Sequence, residues 1–193
     1  MLLPALSTSR EMAKRSVCQS SLRQVIFVAN TLYTDDYNGY LPNGGSVVNA
    51  IEPYINPKFD PLHHETGMIW NGCPSKSSRE TPKYLNDSRS YGWNQCLGTV
   101  WTWKQIKLSQ VRNPSNVCGF IDCTSENFNG PTHYETYGLE QGRHLSKGLN
   151  FSFIDGHVEW LKAYSWRTRS GHMPQSDTAP PCSIAGGCLW HPY

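Results

Sequence analysis

The stretch that decides the fold is Cys18-Gln-Ser-Ser-Leu-Arg-Gln-Val-Ile-Phe-Val-Ala-Asn-Thr-Leu32, because its apolar side chains recur at the spacing of one helix face. They step by three and four residues, as the 3.6-residue turn of an α-helix requires. These apolar positions are Cys18, Leu22, Val25, Ala29 and Leu32. No Pro or Gly interrupts the chain between Pro4 and Gly39. A helix of roughly 35 residues would be about 50 Å long, so its first turns are expected to project from the rest of the protein.

A second local pattern, residues 150–161, predicts a β-hairpin. Its Asp155-Gly156 dipeptide is the one that a two-residue type I′ turn prefers, because both central residues of that turn need a positive φ. Folding there would pair Ile154 with His157 and place four apolar side chains on one face of the hairpin. These are Phe151, Phe153, Val158 and Trp160. The apolar stripe of the long helix is the expected cover for this face.

The remaining segments complete a single α+β domain, in which a long N-terminal helix packs on a small antiparallel sheet. Pro and Gly recur through residues 40–90, which predicts loops with one short helix over 46–54. Residues 100–106 and 117–121 are predicted strands. The expected organisation is a helix over 1–39, a globular head over 40–162 and an irregular tail over 163–193, rich in Pro, Ser and Thr.

Several short motifs, in a fixed order, carry a resemblance to a known family. They are Leu2-Leu-Pro-Ala-Leu6, Arg10-Glu-Met-Ala-Lys-Arg15, Cys18, Leu22-Arg-Gln24, Tyr33-Thr-Asp-Asp-Tyr-Asn-Gly-Tyr-Leu-Pro42, Ile51-Glu-Pro-Tyr-Ile55, Cys73-Pro-Ser75, Ser90-Tyr-Gly-Trp-Asn94, Leu108-Ser-Gln-Val-Arg-Asn-Pro-Ser115, Arg143-His144 and Phe153-Ile-Asp-Gly-His-Val-Glu-Trp-Leu-Lys162. Together they resemble the pseudopilin-like proteins that carry a prepilin-type N-terminal cleavage and methylation signal, which are similar to the major pseudopilin of type II secretion. The resemblance implies a pilin-like fold and a structural, non-enzymatic subunit.

The same resemblance implies how such a subunit assembles. Leu2, Leu3 and Leu6 would belong to an apolar helix that anchors the protein in the inner membrane and bundles with copies of itself or with related pseudopilins. The head would then lie in the periplasm or outside the cell. The leader and the apolar run that define the signal do not stand before Met1, so the natural reading frame is expected to extend upstream into them. In the family nine residues separate a His from Asp-Gly, whereas ten separate His144 from Asp155 here.

Composition argues against nucleic acid as a partner. The 193 residues carry a net charge of +2, and only 17% of them are charged. The one dense basic cluster, residues 10–23, is either a solvated helix face or a basic collar where a membrane helix leaves the bilayer.

The seven cysteines suit an oxidising envelope compartment. Cys182 and Cys188 enclose a five-residue, Gly-containing loop and are expected to form a disulfide. Because seven is odd, at least one thiol must stay free or pair between chains, and Cys118, Cys123 or Cys18 is the expected one. No spacing among the cysteines predicts a zinc site, since Cys182, Cys188 and His191 leave one ligand missing. No metal and no cofactor is therefore predicted.

No catalytic residues are predicted either. His144 and Asp155 could form a base and its orienting carboxylate, but no motif marks a nucleophile, and Asp155 is better explained by its turn. The seven tryptophans leave an alternative function open, that of a secreted or surface module that binds a glycan or a protein through exposed aromatic rings. Trp166 and Trp190, in the polar tail, are the ones that core packing explains least well.

Overall fold

The computed structural model describes residues 3–43, 47–56, 73–75, 91–94, 97, 105–122, 127–128, 143–144 and 148–162. The long helix predicted from the sequence is present. It consists of α1 (Leu3–Phe27), a π-helical segment (Val28–Tyr33) and α2 (Thr34–Asp36) without a break. It ends where Gly39, at φ +81°, donates its N–H to the carbonyl oxygen of Thr34 at 2.8 Å. The C-cap is Tyr37, and the first left-handed residue after it is Asn38, at φ +54°, so the helix ends close to Gly39 as expected but Gly39 is not its cap.

The buried face of this helix follows the predicted stripe except at its last position. Cys18, Leu22, Val25 and Ala29 are fully buried. Leu32, however, is 39% exposed, and Tyr33 is buried in its place. The π segment explains the difference, because its i→i+5 hydrogen bonds take more residues per turn than an α-helix and bring the following residue round to the core.

A mainly antiparallel sheet packs against the helix. Its strands are β1 (Tyr91–Asn94), β2 (Cys118–Asp122), β3 (Asn127–Phe128), β4 (Gly148–Phe153) and β5 (Val158–Lys162). Their order across the sheet is β3-β1-β2-β4-β5, and only the short β3 runs parallel to its neighbour, β1. This confirms the α+β class and the strand predicted at 117–121. The short helix predicted at 46–54 is α3 (Val47–Ile55), which packs at the C-terminal end of the long helix.

The hairpin between β4 and β5 forms, but the predicted type I′ turn was wrong. The N–H of Gly156 bonds the carbonyl oxygen of Phe153 at 2.8 Å, and the N–H of Phe153 bonds the carbonyl oxygen of His157 at 2.9 Å. The loop therefore contains three residues, with Gly156 at φ +92° and no positive φ at Asp155. This is the pattern of a three-residue loop in which a turn is followed by a left-handed residue.

The longer loop shifts the predicted pairing by one residue. Asn150 pairs with Trp160, and Phe151 pairs with Glu159. Because neighbouring side chains on a strand alternate, Phe151 and Trp160 point to opposite faces and do not share one as predicted. Trp160 lies on the helix face, where the guanidinium of Arg15 stacks 5.2 Å from the centre of its ring. Strand β4 is buried on both faces, so Phe151 is still fully buried.

Candidate functional site

Four buried side chains with metal-binding chemistry converge between the long helix and the sheet. They are Cys18, Cys73, Asp122 and His144, and one ligand atom of each lies within 4.8 Å of the others. Cys18 is on α1, Asp122 is the last residue of β2, and the other two come from short described segments at 73–75 and 143–144. Nε2 of His144 is 3.4 Å from Sγ of Cys73 and 2.9 Å from Oδ2 of Asp122. We refer to these four residues as the Cys-His-Asp cluster.

The turn that carries His144 holds it in an uncommon backbone conformation. His144 has φ +52°, one of two positive values at non-glycine residues in the described ranges. Such a conformation costs of the order of 1 kcal/mol or more for a residue with a side chain and persists where its surroundings fix it. Here the imidazole is fixed inside the protein, with the side chain fully buried.

Asp122 is oriented by the neighbouring strand. Its Oδ1 accepts the backbone N–H of Asn150 at 2.8 Å, and its Oδ2 accepts the Asn150 side-chain amide at 2.8 Å. The guanidinium of Arg143, which is also buried, adds a positive charge near the cluster. These partners hold the carboxylate in place and lower the cost of burying its charge.

Proximity within the cluster perturbs the proton affinities of its members. The hydrogen bond with Cys18 lowers the pKa of Cys73, with support from His144 and Arg143, whereas the same contact and burial raise the pKa of Cys18. Burial raises the pKa of Asp122. Burial alone would lower the pKa of His144, but its contacts with Asp122 and Cys73 raise it to about 9. These contacts thus make Cys73 easier to deprotonate and Cys18 harder to deprotonate.

The geometry differs from that of a Cys-His-Asp catalytic triad. In a triad the nucleophile contacts one imidazole nitrogen and the carboxylate orients the ring through the other. Here Cys73 and Asp122 both contact Nε2, while Nδ1 of His144 is buried and has no hydrogen-bond partner in the described part of the chain. The Cys73 side chain also has no open approach, since the residue is only 3% exposed.

The structure does not bring His144 and Asp155 into the pair considered from the sequence. His144 contacts Asp122 in the interior. Asp155 lies exposed in the hairpin loop, where its Oδ1 accepts from the backbone N–H of His157 and contacts the His157 ring.

The first turns of α1 form a stem, residues 5–17, that is exposed throughout residues 5–10 and partly covered at Glu11, Lys14 and Arg15. No side chain in this stretch is buried, and Cys18 is the first buried position from residue 5 onward. Leu6 is 64% exposed and Val17 is 54% exposed. Of the residues predicted to carry assembly, Leu6 therefore lies on the stem, Leu3 is within the helix, and Leu2 lies outside the described residues. No helix in the described ranges is both long and apolar enough to cross a membrane.

Two members of the basic cluster on the helix have specific contacts. Lys14 forms an ion pair with Glu11 at 2.6 Å, and Glu11 also accepts from the hydroxyl of Ser75 at 3.1 Å. Arg15 covers the ring of Trp160. These contacts dock residues 73–75 and the edge of the sheet against the helix.

The described cysteines and tryptophans can be compared with the sequence predictions of a disulfide and of exposed aromatic rings. Cys18, Cys73 and Cys118 are buried, and no disulfide joins them in the described part of the chain. Cys182, Cys188 and Cys123 lie outside the described residues, so their disulfide state stays a prediction. Trp93 is fully buried and Trp160 is partly buried beneath Arg15, whereas the other five tryptophans lie outside the described ranges.

Comparisons with known proteins leave the family open: no family model, no curated protein and no solved structure matches the chain.

Proposed function

We propose that the chain is a non-enzymatic, pseudopilin-like structural subunit that is anchored in the inner membrane of the cell envelope and assembles through its N-terminal helix, with its head in the periplasm or outside the cell. The observation that carries this proposal is the exposed stem. A helix of roughly 34 residues extends about 50 Å, yet from residue 5 onward its buried positions begin only at Cys18. A helix that served only its own domain would gain its stability from packing along its length.

The packing of the rest of the helix supports the same function. From Cys18 to Tyr33 one face of the helix is buried against the sheet and α3, so the stem continues a rigidly held element. Leu6 and Val17 are eleven residues apart and lie on nearly the same side of the helix, where they would be available to a neighbouring subunit. The sequence motifs described above supply the pilin-like interpretation of this architecture.

The test is site-specific photo-crosslinking in cells that express the natural reading frame. A photoreactive phenylalanine analogue at Leu6, on the stem, is expected to yield crosslinked multimers of the protein in the membrane fraction. The same analogue at Asp155, in the exposed hairpin loop, is the matched control and is expected to yield far fewer. Monomers alone from the Leu6 site, in protein that does not fractionate with membranes, would refute the proposal.

A further inference from the structure

We propose that Cys18, Cys73, Asp122 and His144 bind one Zn²⁺ ion, which fastens the long helix to the head. The proposal is independent of how the stem assembles. It starts from the convergence of four side chains of three different ligand types from separate parts of the chain. All four residues are buried, so the cluster is not one of the exposed acidic groups that are common on protein surfaces.

The separations between the ligand atoms of the cluster are near those of a tetrahedral zinc site. Zinc binds sulfur at about 2.3 Å, imidazole nitrogen at about 2.0–2.1 Å and carboxylate oxygen at about 2.0–2.2 Å, so the ligand atoms of a tetrahedral site stand about 3.4–3.8 Å apart. The Cys73–His144 separation of 3.4 Å is close to that range, and the His144–Asp122 separation of 2.9 Å is half an ångström shorter. No pair exceeds 4.8 Å. Small side-chain adjustments would suffice to coordinate an ion.

The orientation of His144 also fits a ligand. Its Nε2 contacts both the sulfur of Cys73 and the carboxylate of Asp122, and this nitrogen carries at most one N–H, which the two groups would have to share. A lone pair on Nε2 that is directed at a central cation would satisfy all three groups together. The strained φ of His144 is then the local cost of aiming the ring at that point.

The charges around the cluster balance when the ion is bound. Two thiolates and one carboxylate carry three negative charges, a neutral imidazole carries none, and Zn²⁺ leaves the site with one negative charge. The buried guanidinium of Arg143 supplies the compensating positive charge. Asn150 supplies two hydrogen bonds that orient Asp122, as the partners of metal-binding carboxylates commonly do.

The ligand set selects the metal and its role. Two thiolates with an imidazole disfavour Mg²⁺ and Ca²⁺, which prefer oxygen ligands, and favour zinc. Four protein ligands in a buried site leave no position open for a substrate, which is characteristic of structural zinc. An ion held by α1, by β2 and by the segments around Cys73 and His144 would crosslink the helix, the sheet and two loops.

A disulfide between Cys18 and Cys73 is the rival chemistry for these two thiols. Its formation would release two protons and transfer two electrons to an external oxidant, and it would remove both sulfur ligands from the site. Both cysteines are free thiols in the structure. Because the disulfide uses both sulfur ligands, zinc binding and disulfide formation exclude one another, and a direct measurement can distinguish the zinc-bound protein from the disulfide-bonded protein.

The experiment is a metal titration of the full chain, purified under reducing conditions and stripped of metal. Co²⁺ serves as the probe, because thiolate ligands give a sulfur-to-cobalt charge-transfer absorption and tetrahedral coordination gives intense visible bands. One equivalent of Co²⁺ is expected to saturate both signals, and one equivalent of Zn²⁺ is expected to abolish them. Reduced wild-type protein that shows neither signal would overturn the proposal. Protein isolated under non-reducing conditions that carries a Cys18–Cys73 bridge and no zinc would overturn it as well.

Variants then assign the ligands. Cys18→Ser and Asp122→Asn are expected to weaken metal binding by tenfold or more, and Cys18→Ser also to reduce the charge-transfer intensity. Cys118→Ser is the matched control, because Cys118 is another buried cysteine, on the same strand as Asp122, but is not part of the cluster. An equal loss in Cys118→Ser would refute the assignment. Asn150→Ala, which keeps all four ligands, is expected to weaken binding by about 10–100-fold.

Discussion

Replacing Gly156 with Val should destabilise the protein through its backbone conformation alone. Gly156 has φ +92°, and a Cβ atom built there meets no other atom within 4 Å. The added Cβ therefore meets no residue beyond its chain neighbours, and the main cost is that of forcing an L-residue into the left-handed region, about 1–2 kcal/mol. A reduction of unfolded-state entropy offsets about 0.4–1 kcal/mol of this cost. Because Val is branched at Cβ and resists positive φ most, we expect a net loss of about 1 kcal/mol.

Urea unfolding followed by circular dichroism measures this loss. With a slope of about 2 kcal/mol per molar urea, the midpoint should fall by about 0.5 M. Gly156→Asn is the matched control, since Asn tolerates the left-handed region and should cost clearly less than Val. Equal stability of Gly156→Val and wild type, or equal costs for Asn and Val, would refute the reasoning.

A variant of the preceding residue tests the type of turn. In a two-residue type I′ turn Asp155 would need a positive φ, and Asp155→Gly would be neutral or stabilising. In the observed three-residue loop the Asp155 carboxylate accepts the N–H of His157 at 3.1 Å, and the residue has no positive φ. Asp155→Gly should then cost about 1 kcal/mol through the lost hydrogen bond and the added backbone entropy of the unfolded chain. A stabilised variant would contradict the observed turn.

Three further perturbations probe the packing of helix on sheet. Gly148→Ala should destabilise by about 1–3 kcal/mol in urea unfolding, because its Cβ would lie 2.3 Å from the rigid ring of Trp160; an unchanged midpoint would refute the close approach. Burial raises the pKa of Tyr33 above its usual value. As the pH rises, the phenol of Tyr33 therefore loses its proton in the unfolded chain before it does so in the folded protein, and the free energy of unfolding should fall above about pH 10. That fall should be smaller in Tyr33→Phe, and identical pH profiles would count against it. Asn30→Ala should cost about 1 kcal/mol, because its amide donates to the backbone carbonyl of Ile154; a thermal melt that matches wild type would exclude the contribution.

The elements that could be predicted from the sequence are those set by local periodicity. The helix face from Cys18 to Ala29 is buried as its three- and four-residue spacing requires, and the helix ends close to Gly39, with its C-cap at Tyr37. The position of Leu32 could not be predicted in the same way, because the π segment that rotates it outward is not encoded in the apolar spacing.

The hairpin register shows a second limit of local reasoning. Asp-Gly is favourable both at the centre of a type I′ turn and at the end of a three-residue loop, where Asp has a helical conformation and Gly a left-handed one. The dipeptide at 155–156 therefore located the reversal but did not select the loop length. One residue of loop length then decides which side chains face the helix, and it separates Phe151 from Trp160.

The Cys-His-Asp cluster could not be predicted because zinc motifs are recognised by short spacings. Its ligands stand at 18, 73, 122 and 144, and no two of them are close in the chain. Three of them were nevertheless present among the motifs that carry the pseudopilin resemblance: Cys18, Cys73-Pro-Ser75 and Arg143-His144. The sequence signal that could have been noticed is that each of these motifs contains a side chain able to bind a metal. Only the fold shows that these side chains meet at one point.

The place where they meet connects the two proposals. Cys18 is the first buried position of the long helix from residue 5 onward, directly after the stem of residues 5–17. An ion coordinated there would lie where the stem leaves the head and would join the helix to β2 through Asp122. Coordination bonds hold such a junction more firmly than the burial of one small side chain. A force applied to the stem within an assembly would then be transmitted to the sheet and would not separate the helix from it. A subunit that is held by its helix and presents its head needs a rigid connection at this position.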